Sequence, residues 1–167
     1  MFHMGYRCAT SFLLLAACFA GPEMPTENDL VDQFPERRAT LDTLRLLSDE
    51  DARIPRIRFD VAPVDSAPAS RTVDAAREIS RQRWDRYAAL FRRVDASGGL
   101  ERAADGKVFI IVRSWGMLNS GVSRGYAYLP VDAQRARIVG SIEGDRRTEP
   151  IFRHLTDRWY VFEKHRN

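Results

Sequence analysis

Val108-Phe109-Ile110-Ile111-Val112 is an unbroken apolar run, and Val122-Ser123-Arg124-Gly125-Tyr126-Ala127-Tyr128-Leu129 behind it alternates in character. A run this short, bounded by polar residues, reads as a strand buried on both faces. The alternating stretch reads as its antiparallel neighbour, joined to it through a loop from Gly116 to Gly121. Pro130 stops the second ladder, because proline has no N–H to give. Downstream, Ile138–Ile142 is a shorter strand closed by the turn Glu143-Gly144-Asp145. Ile151–Leu155 and Trp159–Glu163, either side of Thr156-Asp157, form a last hairpin.

Upstream of the run the period changes. Leu30, Val31 and Phe34 begin an apolar face, and Leu41, Leu44 and Leu47 continue it at a spacing of three. With Pro35 in its first turn, where a missing N–H is harmless, this predicts a helix over 35–48. Ile57, Phe59 and Val61 alternate with charged residues as a half-buried strand. A longer helix over 72–96 comes next, capped by Ser70 or Thr72. Val73, Ala76, Ser80, Trp84, Tyr87, Phe91 and Val94 lie along one side. Ser97-Gly98-Gly99 ends it, since glycine adopts a left-handed cap freely. Helices precede an antiparallel meander with no βαβ repeat. The class is α+β, with four to six strands packed against one long and one shorter helix.

Composition narrows the function. The chain has 167 residues, with 26 basic against 23 acidic side chains and a formal net charge of +3. All the basic residues but Lys107 and Lys164 are arginines, and acids are interleaved among them. No single-sign stripe emerges, so nucleic acid is not an expected partner.

The N-terminus carries an address. Arg7 is the only charge before Glu23, and an apolar stretch from Cys8 to Ala17 is centred on Phe12-Leu13-Leu14-Leu15. That length suits a secretory signal and falls short of the roughly 20 residues a spanning helix needs. The stretch closes with Leu15-Ala16-Ala17-Cys18, which resembles the lipobox of bacterial lipoproteins. The resemblance implies that residues 1–17 are removed and that Cys18 is acylated and becomes the first mature residue. With Phe19 rather than Asp after it, it further implies an outer-membrane lipid anchor facing the periplasm. An ordinary cleaved signal peptide and an uncleaved anchor are the other readings of the segment. After lipidation the mature chain has no free thiol, so disulfide frameworks and Cys-based metal sites are not expected. Residues 18–29, with two prolines and no apolar period, read as lipidated cysteine and flexible tether. Residues 30–167 read as one periplasmic domain.

Candidate chemistry is sparse. Gly121-Val122-Ser123-Arg124-Gly125 matches the G-x-S-x-G elbow, with Asp132, Asp145 and then His154 in hydrolase order. The elbow needs a strand-to-helix turn, whereas the segment after Ser123 reads as strand. His154 and His165 stand eleven residues apart, outside zinc-ligand spacing. Asp49-Glu50-Asp51 reads as surface charge at a helix end. No phosphate loop joins a strand to a helix, so no cofactor is expected. An aromatic constellation is the strongest candidate: Arg113, Trp115, Arg124, Tyr126 and Tyr128 on adjoining strands, of residue types that anchor interfaces. Either these side chains fill the space between sheet and helix or they form an open binding face. The expected function is a membrane-anchored, non-catalytic interaction module docking an envelope protein. Alternatives are a small apolar or aromatic ligand held between sheet and helix, or hydrolysis through Ser123 and His154.

Overall fold

The computed structural model describes residues 23–59, 79–117, 120–131, 136–144 and 148–166. Cys18, Val61, residues 72–78, Asp132 and Asp145 lie outside them. Among the described residues are two helices, α1 (Glu27–Glu50) and α2 (Arg81–Arg93). The strands are β1 (Arg56–Ile57), β2 (Gly99–Arg102), β3 (Val108–Met117), β4 (Ser120–Tyr128), β5 (Arg137–Ile138), β6 (Ile151–Thr156) and β7 (Trp159–Arg166). They form one sheet in the order β1-β2-β3-β4-β7-β6-β5, antiparallel throughout except for the parallel pair β5–β6. The class is therefore α+β, and the described sheet has seven strands rather than four to six.

The helices differ from expectation in length. α1 starts at Glu27, inside the stretch read as tether, because Thr26 and Asp29 form a capping box. The Asp29 N–H donates to the Thr26 hydroxyl oxygen at 3.1 Å, and the Thr26 N–H donates to the Asp29 carboxylate at 2.8 Å. Two otherwise orphaned donors are thus satisfied, and Pro35 falls inside the helix rather than in its first turn. α1 buries Leu30, Phe34, Leu41, Leu44 and Leu47, each such side chain contributing about 2 kcal/mol.

α2 starts at Arg81 because Ser80, expected on the buried stripe, caps it by accepting from the Arg83 N–H at 3.2 Å. Its end is not the glycine pair. Asp95 takes the left-handed conformation (φ 55°). The Ala96 N–H then donates to Phe91 O at 2.9 Å and the Asp95 N–H to Arg92 O at 3.3 Å, closing a Schellman motif. Gly98 and Gly99 instead serve the sheet, with Gly99 opening β2 at φ 81° against the Ile57 backbone.

The Val108–Val112 run is buried on both faces. Val108, Ile110 and Val112 join Tyr126, Trp159 and Val161 in the main core beneath the helices. Phe109 and Ile111 join Ala127, Leu129, Phe152 and Phe162 in a second core on the opposite face. Phe109 on β3 lies 6.1 Å from Phe152 on β6, ring centre to ring centre, although β4 and β7 run between them. Three strand spacings in a flat sheet would be about 14 Å. The sheet curls over this face, and the small side chain of Ala127 lets the rings meet above it.

Asp49-Glu50-Asp51, read as surface charge, is a junction. Arg83 bonds Asp51 at 2.7 Å, Glu50 at 2.6 Å and the Leu47 carbonyl at 3.3 Å. The Tyr87 hydroxyl donates to Asp51 at 2.8 Å and Arg102 to Asp49 at 2.6 Å. Three acids at a helix C-terminus oppose the helix dipole. The two arginines offset this and tie α1 to α2 and β2.

Candidate functional site

The residues singled out in β3 and β4 come together around a β-bulge. Register passes from Ile111–Gly125 to Arg113–Arg124, leaving Val112 as the extra residue. Ser97 and Gly98 N–H groups bond the Val112 and Ile111 carbonyls at 3.0 Å. Beyond them, Arg113–Met117 has β4 on one side and no strand on the other among the described residues.

The five side chains do not form one open face. Tyr126 is fully buried, packs against Phe34 and donates to Leu30 O at 2.8 Å. Burial pushes its hydroxyl up to about 12. Tyr128 is half-buried, edge-on to Trp159 at 5.4 Å with the Arg45 guanidinium above it at 4.7 Å. The parity that puts Arg124, Tyr126 and Tyr128 on one side is correct, but α1 covers that side. Arg113 turns to the end of α2 and holds Asp95. Trp115 alone among the five is open to solvent, 75% exposed at the hairpin end.

Arg124 organises a part-buried polar cluster that single-residue motifs do not reveal. Its guanidinium bonds Glu163, both carboxylate oxygens of Glu143 at 3.0 Å, and the Pro25 carbonyl at 3.0 Å. Glu163 also meets the His165 Nε2 at 2.6 Å. Glu143 accepts from the Glu27 N–H at 3.1 Å. Glu27 accepts in turn from the Ser141 hydroxyl at 2.8 Å, the Ile142 N–H and Arg153. Burial tends to raise the Glu27 carboxyl, but these three donors outweigh it and hold it below its ordinary value. Arg124 does the same for Glu143, helped by the Glu27 N–H. For Arg124, burial opposes the charge and its two carboxylate partners more than restore it. The cluster fastens the N-terminus of α1 to the sheet. Glu163 was legible in sequence, since it shares strand parity with the buried Trp159 and Val161. Glu27 and Glu143 carried no such signal, being joined only by tertiary packing.

The hydrolase arrangement does not assemble. Ser123 sits inside β4, nearly buried, with its Oγ 2.8 Å from that of Ser114. Through β7 the His154 row aligns with Ala127, not with Ser123. The two are about 13 Å apart along the strands and about 10 Å across them. His154 bonds the Asp157 carbonyl across its own turn at 3.1 Å. The space between sheet and helices is filled by the main core. A cleft of about 390 Å³ opens instead between α1 and α2, lined by Ala39, Thr40, Thr43, Arg86, Ala89, Leu90 and Arg93. Among the described residues no three His, Cys, Asp or Glu side chains converge as metal ligands would, and no helix is long and apolar enough to cross a membrane.

No protein-family model, curated protein or solved structure matches this chain at a significant level.

Proposed function

We propose that this chain is a lipid-anchored interaction module of a bacterial cell envelope, acylated at Cys18 and acting by docking rather than by turnover. The reading is supported by one juxtaposition. Arg124 holds the Pro25 carbonyl, so only seven residue steps separate Cys18 from a chain pinned to the sheet. Fully extended, seven residue steps reach about 25 Å at most. The domain is thus kept near the membrane, with the hairpin end bearing Trp115 as its accessible anchor. An exposed tryptophan at a strand edge with no neighbouring strand among the described residues is the type of residue that carries binding energy at interfaces. By the Phe19 resemblance the leaflet is that of the outer membrane, facing the periplasm.

The test has two parts. Protein from native envelopes should begin at an acylated Cys18 and leave the membrane only with detergent. A photoreactive phenylalanine analogue at position 115 should then give a defined adduct in intact envelopes. The same probe at Leu46, exposed on α1, should give none. A mature chain starting elsewhere overturns the anchor, and equal labelling at 115 and 46 overturns docking through the hairpin end.

A further inference from the structure

Trp115 lies on the same sheet face, and at the same sheet end, as the point where the tether leaves the domain. Its register partner is Val122, two residues from Arg124 on β4, so Trp115 and Arg124 share a face. Arg113 pairs directly with Arg124, which puts Trp115 about 7 Å further along and one strand over. The opposite end of the sheet, at the β6–β7 turn around Asp157, is six residues from Glu163 along β7, about 20 Å away. A leash of at most about 25 Å attached at Arg124 therefore holds the Trp115 end, the end nearer its attachment, within reach of the bilayer.

What is exposed at that end fits a lipid surface. Trp115 is the most exposed of the large apolar side chains among the described residues. Indole, with an apolar body and one N–H donor, partitions to the headgroup level of membranes. Arg166, in the row of Gly116 and Gly121 at the same end but on the opposite sheet face, is 44% exposed and ion-pairs with Glu101 at 3.6 Å. Trp84 is packed against the main core, and the Trp159 indole donates to Asp42 at 2.9 Å. Trp115 belongs to neither core and stands three-quarters exposed, so the packing of the described residues does not require it.

We infer that the partner of the Trp115 end is the lipid surface itself: the Trp115 indole rests in the headgroup region as a second, non-covalent membrane contact that fixes how the tethered domain is oriented. This rests on the lipid-anchor reading and names the partner of the site proposed above.

The full acylated chain, reconstituted in phosphatidylcholine–phosphatidylglycerol vesicles, tests it. Nitroxide-labelled lipids carrying the label near the headgroup should quench at least half of the emission that Trp115→Phe removes. Labels deep in the acyl region should quench it several-fold less. Trp84 and Trp159 supply an internal baseline that neither label affects. Unquenched Trp115 emission from a chain verified as acylated at Cys18 overturns the lipid contact and leaves the anchor standing. A protein adduct at position 115 in native envelopes, with no quenching in vesicles, overturns it in favour of a protein partner. A mature chain that does not begin at Cys18 removes the leash, and both readings fall together.

Discussion

Arg113 grips Asp95 by both carboxylate oxygens, at 3.0 and 2.8 Å, and by its carbonyl at 3.1 Å. One side chain thereby fixes the left-handed residue that ends α2 and ties it to the bulged strand. The left-handed conformation costs a non-glycine residue about 1 kcal/mol, and the ion pair, more than half exposed on the Asp95 side, returns less than about 1 kcal/mol. Asp95→Gly is accordingly expected to leave stability within about 0.5 kcal/mol of the parent, whereas Asp95→Ala loses about 1 kcal/mol or more. Urea unfolding midpoints at constant slope check the order of the two.

Gly125 faces the bulge so closely that a Cβ there would lie 2.1 Å from Ile110 O and 2.8 Å from Val112 N. Both are backbone atoms of β3, so no rotamer relieves the contact. Gly125→Ala should cost about 3 kcal/mol or open the β3–β4 pairing. Gly140, with nothing near its would-be Cβ, is the control, and Gly140→Ala should be close to neutral. Thermal unfolding of the two variants separates them.

Much of this fold was legible in residues 108–163, because strand parity is a local property. The Val108–Val112 run and the Arg124-Tyr126-Tyr128 parity survive intact in the structure. The helix ends were not legible, because they depend on which of several capping residues is used. Thr26 with Asp29 and Asp95 won over Pro35 and Gly98, and the described α2 is capped by Ser80. β2 is hidden for the same reason, because its first residue, Gly99, reads as part of a helix cap. At the candidate site, parity gave the shared face but could not say that α1 covers it. The one residue left outside, Trp115, lies past the bulge and beyond the reach of either helix.

Tyr126→Phe isolates a core hydrogen bond from any binding role. The hydroxyl donates to Leu30 O in a fully buried setting, and removing it leaves that carbonyl, inside a helix, without its second donor. A loss of about 1–2 kcal/mol is expected. Labelling at position 115 should not change. Trp115→Ala should keep stability within about 0.5 kcal/mol of the parent, because the side chain is mostly solvated, and should abolish the headgroup-quenched emission in vesicles. Chemical denaturation, read with crosslinking yield for the first variant and vesicle quenching for the second, tests the pair.

Acid should release the N-terminus of α1 before it unfolds the sheet. Glu27 and Glu143 are both held below their ordinary value of 4.5, the first by Ile142, Ser141 and Arg153 against its burial, the second by Arg124. A carboxyl depressed on folding stabilises the native state above its unfolded value and loses that contribution as pH falls through the folded value. Stability should therefore be level above about pH 5 and decline below about pH 4.5 as these two groups take up protons. Glu143→Gln, half exposed on its side chain, should lower the neutral-pH plateau by about 1 kcal/mol and flatten the decline. Protection of the Leu30 and Val31 amides, taken as exchange relative to the intrinsic rate at each pH, should fall ahead of protection in β4 and β7 between about pH 6 and about pH 3. Simultaneous exposure of helix and sheet would show that the Arg124 cluster does not act as a separate clasp.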